Sequence, residues 1–310
     1  VLAILAAKQK KDALDTLSVD FKEQKFSEKK YREGVVTRIK SRHKEYLVGK
    51  EDFEAGEKDI FEAMDQPTID GVNTYFVSRA AKEAGLKAVL SGLGSDEIFM
   101  GYHYFKRAKL FRFIQKLPKI LKWKLKILAK FKGRYARLIY LYRGEGLMNF
   151  YLSLRGLFSP AEAAEILNID ESMVWDYIKK MENSLPAGLG DLRPEDALSW
   201  LEVNFYMGNQ LLKDTDFMSM RHSIEVRVPF LDRGLVEYLS SLPVELKLTP
   251  QPKELLISAM GRDIPREVWD RPKMGFTFPM AEWLKKEIGG SRAHWSKTWA
   301  KIILKKYEKI

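Results

Sequence analysis

Residues 89–102 read Val89-Leu90-Ser91-Gly92-Leu93-Gly94-Ser95-Asp96-Glu97-Ile98-Phe99-Met100-Gly101-Tyr102, an apolar run that meets a glycine turn and then an acidic pair. The apolar run has the composition of a buried parallel strand. Gly92 and Gly94 permit backbone conformations and close approaches that other residues resist. Ser95 is a candidate helix N-cap with carboxylates in the turn that follows it. The stretch therefore predicts a strand that leads into a helix N-terminus.

Two interpretations of this turn remain open from the stretch alone. Free backbone N–H groups could receive phosphate or an adenylate, and the carboxylates could hold Mg²⁺. An ordinary strand–turn–helix corner with a capped helix explains the same residues equally well. The choice between them depends on what the rest of the chain contains.

The stretch resembles the SGEGxDExFGGY-like element of the synthetase domain in the glutamine-dependent asparagine synthetase family. Further along, residues 211–232 resemble the family's LLKxDRxSMxxSLExRxPFLD element, and Arg271-Pro272-Lys273-Met274-Gly275-Phe276 resembles its RPKxGF loop. Three elements in the right order span most of the chain, so the resemblance is specific.

Strands and helices alternate in the first third of the chain. Strand patterns at 16–21, 45–48 and 87–90 are separated by helical patterns at 27–40, 51–64 and 73–84, which predicts a parallel sheet covered by helices on both faces. The resemblance implies an α/β fold with a parallel sheet of the adenine-nucleotide alpha-hydrolase (PP-loop ATP pyrophosphatase) type and a helical C-terminal half. We expect a nucleotide-binding part at 1–105, a basic helical connection at 106–145 and a helical part at 146–310.

The resemblance also implies a pyrophosphate-binding loop, SGGxDS, immediately before the helix that begins at Val1. No segment of the 310 residues offers that loop. We therefore expect the first strand and the phosphate loop of the domain to lie outside the numbered chain. By the same reasoning, the chain by itself is expected to bind pyrophosphate poorly and to be inactive.

The resemblance implies ATP and Mg²⁺ as cofactors. It places Val19 beside the adenine, and Ser91, Gly92 and Gly94 against the nucleotide. It makes Asp96 the candidate metal ligand and a candidate catalytic residue.

A substrate pocket is implied next to the nucleotide. Asp70 lies in a segment that resembles the family's DEPxxDPS sequence, although an X-Pro turn with a helix cap explains that segment almost as well. Lys213, Asp214 and Asp216 could line the same cleft. Glu225 and Arg227 are packed among apolar neighbours, which indicates that they pair or contact ligand. Glu225 could be catalytic and Arg227 could line the pocket. Alternatively, the two residues form a structural ion pair.

Lys273 is the strongest catalytic candidate. A flexible ammonium in a Pro-Lys-Met-Gly loop can neutralise charge as pyrophosphate leaves or as a tetrahedral intermediate forms. The resemblance makes it the catalytic loop lysine, and the alternative is an exposed lysine in a turn.

The implied reaction is asparagine synthesis: ATP activates aspartate as an acyl-adenylate, and ammonia derived from glutamine attacks it. Leu93 replaces the family's glutamate, a residue tied to intermediate formation and to handling ammonia, and Phe217 replaces an arginine. Relatives such as β-lactam synthetases and peptide-cyclising enzymes vary these positions too. Another carboxylate or amine, or a noncatalytic scaffold with the same fold, is therefore an alternative.

Lysine and arginine dominate residues 106–143, which hold fourteen basic and no acidic residues and account for the net charge of +11. Apolar residues interleave with them, so a basic amphipathic helical pair broken at Pro118 is predicted. Such a pair could contact an anionic membrane surface or an acidic partner. From sequence alone we favour a solvated helical connection, and we expect no nucleic-acid binding because no recognition motif accompanies the charge.

The chain contains no cysteine, which excludes disulfides, thiolate–metal sites and a cysteine nucleophile within it. In the family, glutamine is hydrolysed by an N-terminal cysteine of a separate glutaminase domain, so ammonia would come from a domain that this chain lacks. We expect a cytoplasmic location because the implied substrates are found there. The sequence leaves a homodimer open.

Overall fold

A computed structural model describes residues 1–10, 12–23, 27–129, 135–271, 278–285 and 295–307. Four strands form within these ranges, and they pair in parallel. Strand β1 (Asp15–Phe21) pairs with β2 (Arg42–Val48), and β3 (Ala88–Leu90) pairs with β4 (Glu225–Arg227). The parallel arrangement is as predicted. The single sheet is not observed, because no strand within the described ranges hydrogen-bonds to both pairs.

Helices occupy most of the remaining chain. Those of the first hundred residues are α1 (Leu2–Gln9), α2 (Lys29–Ile39), α3 (Lys50–Ala63), α4 (Gly71–Glu83) and α5 (Ser95–Ile98). They are followed by α6 (Lys109–Lys116), α7 (Lys119–Ala129), α8 (Leu138–Arg143), α9 (Leu147–Arg155), α10 (Pro160–Leu167), α11 (Glu171–Asn183) and α12 (Pro194–Leu201). The chain then continues through α13 (Leu212–Met220), α14 (Arg233–Ser241), α15 (Val244–Lys247), α16 (Glu254–Met260), α17 (Arg266–Trp269), α18 (Met280–Trp283) and α19 (Trp295–Tyr307).

Helices α12 and α13 are joined by a π-helical segment, Glu202–Leu211. The wider π turn is rare in proteins and is frequently found at functional sites. Short 3-10 turns lie at His103–Arg107, Leu189–Asp191, Pro229–Leu231 and Gly261–Asp263.

Several helices begin or end at residues whose local sequence explains the boundary. Ser159 accepts a hydrogen bond from the Glu162 amide while the Glu162 carboxylate accepts one from the Ser159 amide, so a capping box begins α10. Gly85, at φ +77°, follows the end of α4. Pro118 separates α6 from α7, as its missing N–H and fixed φ predict.

Two large apolar cores hold these elements in place. One lies between β1, β2, α3, α4 and the C-terminal helices, where the Phe53 ring lies 5.5 Å from that of Trp283 and 5.6 Å from that of Trp299. The other lies among the helices from α6 to α12, and there Phe111 stacks on Phe150 at 4.7 Å. Within the described ranges, no helix combines the length and the apolar character needed to cross a bilayer.

Candidate functional site

The glycine turn lies directly on the second sequence element. The Ser91 amide donates to the Arg227 carbonyl oxygen at 2.8 Å and extends the β3–β4 pairing into the turn. Gly94 has a φ of +89°, and a Cβ atom at Gly94 would lie 2.6 Å from Cδ2 of Leu231. The first two motif elements, separated by more than a hundred residues, therefore form one structure.

We expect Gly94→Ala to lower the free energy of unfolding by about 2 kcal/mol, because it adds a left-handed backbone penalty to a clash with Leu231. Urea denaturation measures this change. Gly92→Ala is the matched control, since a Cβ atom at Gly92 would meet no protein atom within 4 Å. Equal stability of the two variants would contradict the close packing at Gly94.

Asp96 is paired with Lys253. The Lys253 ammonium lies 3.0 Å from Oδ2 of Asp96 and 3.1 Å from Oγ of Ser95, so it is fixed against the first turn of α5. Lys253 was not predicted from the sequence, because no local pattern identifies a lysine 157 residues away as the partner of Asp96. Asp96 remains a predicted metal ligand, and no group of three metal-binding side chains occurs among the described residues.

Val19 lines a cavity of about 310 Å³, bordered by the second half of β1, by α2 and by α4. On one side of the cavity, Asp20 accepts hydrogen bonds from Ser27 and Arg32. Burial opposes ionisation of Asp20, but hydrogen bonds from the Phe21 amide, Ser27 and Arg32 outweigh it and lower the pKa of this carboxyl. The volume is at the lower end of the range for small-ligand sites. The cavity shares no lining residue with the turn at Ser91–Gly94.

Asp70 meets the π-helical segment. Its Oδ2 accepts hydrogen bonds from Nε2 of Gln210 at 2.6 Å and from the Tyr206 hydroxyl at 3.2 Å, and burial raises the pKa of this carboxyl. Nearby, Gln66 donates to the Asn209 carbonyl oxygen at 2.7 Å. The predicted pocket segment therefore contacts the π-helical segment that leads into the second sequence element.

The other predicted pocket residues on helix α13 lie on two different sides of the helix. Lys213 and Asp216 lie on its exposed side, whereas Asp214 is buried and accepts a hydrogen bond from the Thr68 hydroxyl. Burial raises the pKa of Asp214 to about 7, and the neighbouring charge of Asp70 adds to the shift. The buried carboxyl that faces Asp70 is thus Asp214.

Glu225 and Arg227 do pair, with Nε of Arg227 2.9 Å from Oε1 of Glu225. The expectation that they are tightly enclosed was wrong. Their side chains are 59% and 63% exposed, because alternate residues of the three-residue strand β4 point to its open face. The hydrogen bond from Arg227 lowers the pKa of Glu225.

A buried ion pair that the sequence analysis missed adjoins Asp70. Arg155 lies against Glu202 with both Nε and Nη2 within 3.2 Å of its oxygens, and Glu202 is 0% exposed. The guanidinium lies 3.5 Å from the centre of the Tyr206 ring and 4.7 Å from that of Tyr102. Burial alone would lower the pKa of Arg155, but the charge of Glu202 raises it.

Glu97 connects this pair to the glycine turn. The Tyr102 hydroxyl donates to Oε1 of Glu97 at 2.6 Å, and burial raises the pKa of Glu97. The polar cluster therefore runs from α5 past Arg155 to Asp70 and Asp214. One sequence signal could have found it, since Glu202 falls within an apolar helical pattern and a carboxylate there requires a partner.

Lys273, the leading catalytic candidate, lies outside the described residues. Its neighbour Arg271 is described. The Arg271 guanidinium is 2.8 Å from Glu28 and 4.3 Å from the centre of the Tyr31 ring, so Arg271 lies beside α2.

Comparisons with known proteins place the chain in a family. The family described as Asparagine synthase matches residues 1–300. Asparagine synthetase [glutamine-hydrolyzing] 1 of Bacillus subtilis is 27% identical over 92% of this chain and 45% of its own length. A putative asparagine synthetase [glutamine-hydrolyzing] of Mycobacterium bovis is 30% identical over 88% of this chain and 42% of its own length.

A more distant relative is amidase chry2 of Gibberella zeae, which is 25% identical over 70% of this chain and 36% of its own length. The chain spans less than half the length of each of these relatives. The family match over almost all of its residues shows that the chain belongs to the asparagine synthase family, whose domain is of the PP-loop ATP pyrophosphatase type.

Proposed function

We propose that this chain forms the ATP-dependent part of an amide-forming ligase. A substrate carboxylate attacks ATP, pyrophosphate leaves, and an acyl-adenylate forms. An amine then attacks the acyl carbon, which yields an amide and AMP. Asparagine synthesis from aspartate, with ammonia released from glutamine by a glutaminase domain, is the leading form of this reaction.

The observation that carries the proposal is the contact between the glycine turn and the second sequence element at Gly94 and Leu231. Two motifs that resemble the family's nucleotide and substrate elements meet there, next to the polar cluster around Asp70. A site that joins ATP to a carboxylate needs both binding regions side by side.

The described residues suit the nucleotide. The cavity at Val19 offers an apolar wall for a base, and Gly92 leaves open space where a ligand can approach the backbone. Asp96 is a single carboxylate already neutralised by Lys253, so Mg²⁺ would be held largely by phosphate oxygens, as is common for this ion. Lys273 would neutralise charge on the departing pyrophosphate.

The acid and the amine are less closely defined. Leu93 cannot take part in acid–base chemistry, so an amide ligase that uses another carboxylate or amine stands as the alternative to asparagine synthesis. A relative named as an amidase is consistent with diverse amide chemistry in proteins like this one. The alternative is therefore an amide ligase acting on another carboxylate.

ATP–pyrophosphate exchange by the complete protein tests the proposal. Exchange is measured with aspartate and then with a panel of other carboxylates. We expect Lys273→Ala to slow exchange about a hundredfold, because a cation at the leaving group acts mainly in the transition state. Lys58→Ala is the control, since Lys58 is 90% exposed on α3.

Each result has a distinct meaning. Exchange with aspartate would support asparagine synthesis, and exchange with another acid alone would support the related ligase. A folded protein that exchanges with no acid would be a noncatalytic member of the family, and the proposal would fail.

A further inference from the structure

Helix α6 exposes apolar side chains on its outward face. Its inner side is fixed by Phe111, which is buried and stacks on Phe150. On the opposite side Phe113 is 62% exposed and Leu110 is also exposed. Lys109 and Lys116, at i−4 and i+3 from Phe113, flank it on the same face.

Helix α7 also exposes apolar side chains. In contrast to most surface helices, it buries a lysine and exposes a tryptophan. Its inner side buries Lys122, whose ammonium lies 2.8 Å from Oε1 of Glu145. Its outer side exposes Trp123, at 54%, together with Ile127 and Leu128. An exposed tryptophan forgoes the free energy that its burial would provide, so a layer that covers the outer face would stabilise this arrangement.

The segment that carries these side chains has charge of one sign, and Glu145 from the turn that follows it pairs with the buried Lys122. No aspartate or glutamate occurs between Glu97 and Glu145. Lys109, Lys116, Lys124 and Lys126 are all exposed beside the apolar residues. Long lysine side chains next to aromatic and aliphatic residues suit a surface where an apolar layer lies beneath negatively charged groups.

We propose that the outer faces of α6 and α7 bind an anionic lipid bilayer surface, with Phe113 and Trp123 inserted among the acyl chains and the lysines at the headgroups. The structure strengthens the membrane interpretation over the solvated connection that the sequence favoured, because a helix that only faces water would bury Trp123 and Phe113 rather than expose them. The proposal concerns this surface only and does not depend on the reaction that the protein catalyses.

Vesicle binding tests it with the complete protein. Phosphatidylcholine vesicles with and without phosphatidylglycerol are sedimented, and tryptophan quenching by brominated lipid is recorded. Trp123 is exposed and the other six tryptophans are buried or half-buried. We expect binding to the anionic vesicles with quenched emission, and Trp123→Phe should keep the binding and lose most of the quenching.

Paired variants separate the apolar and charge contributions. Phe113→Ser with Trp123→Ser should lower the partition coefficient by about tenfold or more, since two large apolar groups lose their burial. Replacing Lys109, Lys116 or Lys124 by glutamine should lower it by about fivefold each. The controls are Tyr177→Ser with Tyr238→Ser, at 64% and 62% exposure, and Lys58→Gln.

Three outcomes would overturn the proposal. One is equal binding to neutral and anionic vesicles, and another is equal binding by the double serine variant and its tyrosine control. The third is an oligomer of the wild type that the double serine variant converts to monomer without any change in vesicle binding. That last result would assign the face to a second copy of the chain. Thermal melting of each variant verifies that it is folded.

Discussion

Glu202→Gln is expected to lower the free energy of unfolding by about 3–5 kcal/mol. Removing the carboxylate charge leaves the Arg155 guanidinium in a low-dielectric site without its counter-ion. The rings of Tyr102 and Tyr206 offset part of this cost, because a guanidinium over an aromatic face is attracted to it. They cannot replace a carboxylate that binds two nitrogens of the same group.

Urea denaturation of the wild type and of the variant measures the difference. Glu237→Gln is the matched control, since Glu237 pairs with Arg233 on an exposed face of α14 and such pairs contribute less than about 1 kcal/mol. Arg155→Met combined with Glu202→Leu should be more stable than Glu202→Gln, because it leaves no unpaired buried charge. A change below about 1 kcal/mol for Glu202→Gln would contradict the role assigned to this pair.

The second large effect is a dependence of stability on pH that Asp214→Asn removes. Burial raises the pKa of Asp214 to about 7 in the folded protein, against a value of 3.8 for an unperturbed aspartate. The folded state therefore holds the proton more tightly than the unfolded state does. The stabilisation from this group is complete below the unfolded pKa and is lost as the pH rises through 7.

Its full size is about 4 kcal/mol, from about 1.4 kcal/mol for each unit of pKa. Unfolding by urea at pH 4, 6 and 8 should show the wild type losing stability relative to Asp214→Asn as the pH rises. Asp216→Asn is the control, because Asp216 is exposed on the same helix and its variant should follow the wild type. Parallel curves for the wild type and Asp214→Asn would rule out a proton on Asp214.

Patterns confined to neighbouring residues predicted much of this fold. The break at Pro118 and the turn at Gly94 each follow from the backbone preference of one or two residues. The parallel direction of the strands followed from their alternation with helices. These features need no knowledge of distant partners.

The parts that the sequence did not predict depend on distant contacts. Lys253 pairs with Asp96 across 157 residues, and Arg155 pairs with Glu202 across 47. A short motif carries no information on which distant charge will neutralise it. The exposure of Glu225 and Arg227 was not predicted because their apolar neighbours in sequence do not surround them in the fold. In a strand, successive side chains point to opposite faces, so these neighbours lie on the other face.

The π-helical segment Glu202–Leu211 also sets the angular phase between α12 and α13, which form one continuous helical rod. Deleting one residue from that segment would turn everything after it by about 100° relative to everything before it. Asp214 would then rotate away from Thr68 and from the cluster around Asp70. The number of residues in the π-helical segment thus determines how α13 is rotated about its axis relative to α12. A change in that number would disrupt the polar cluster without altering any of its side chains.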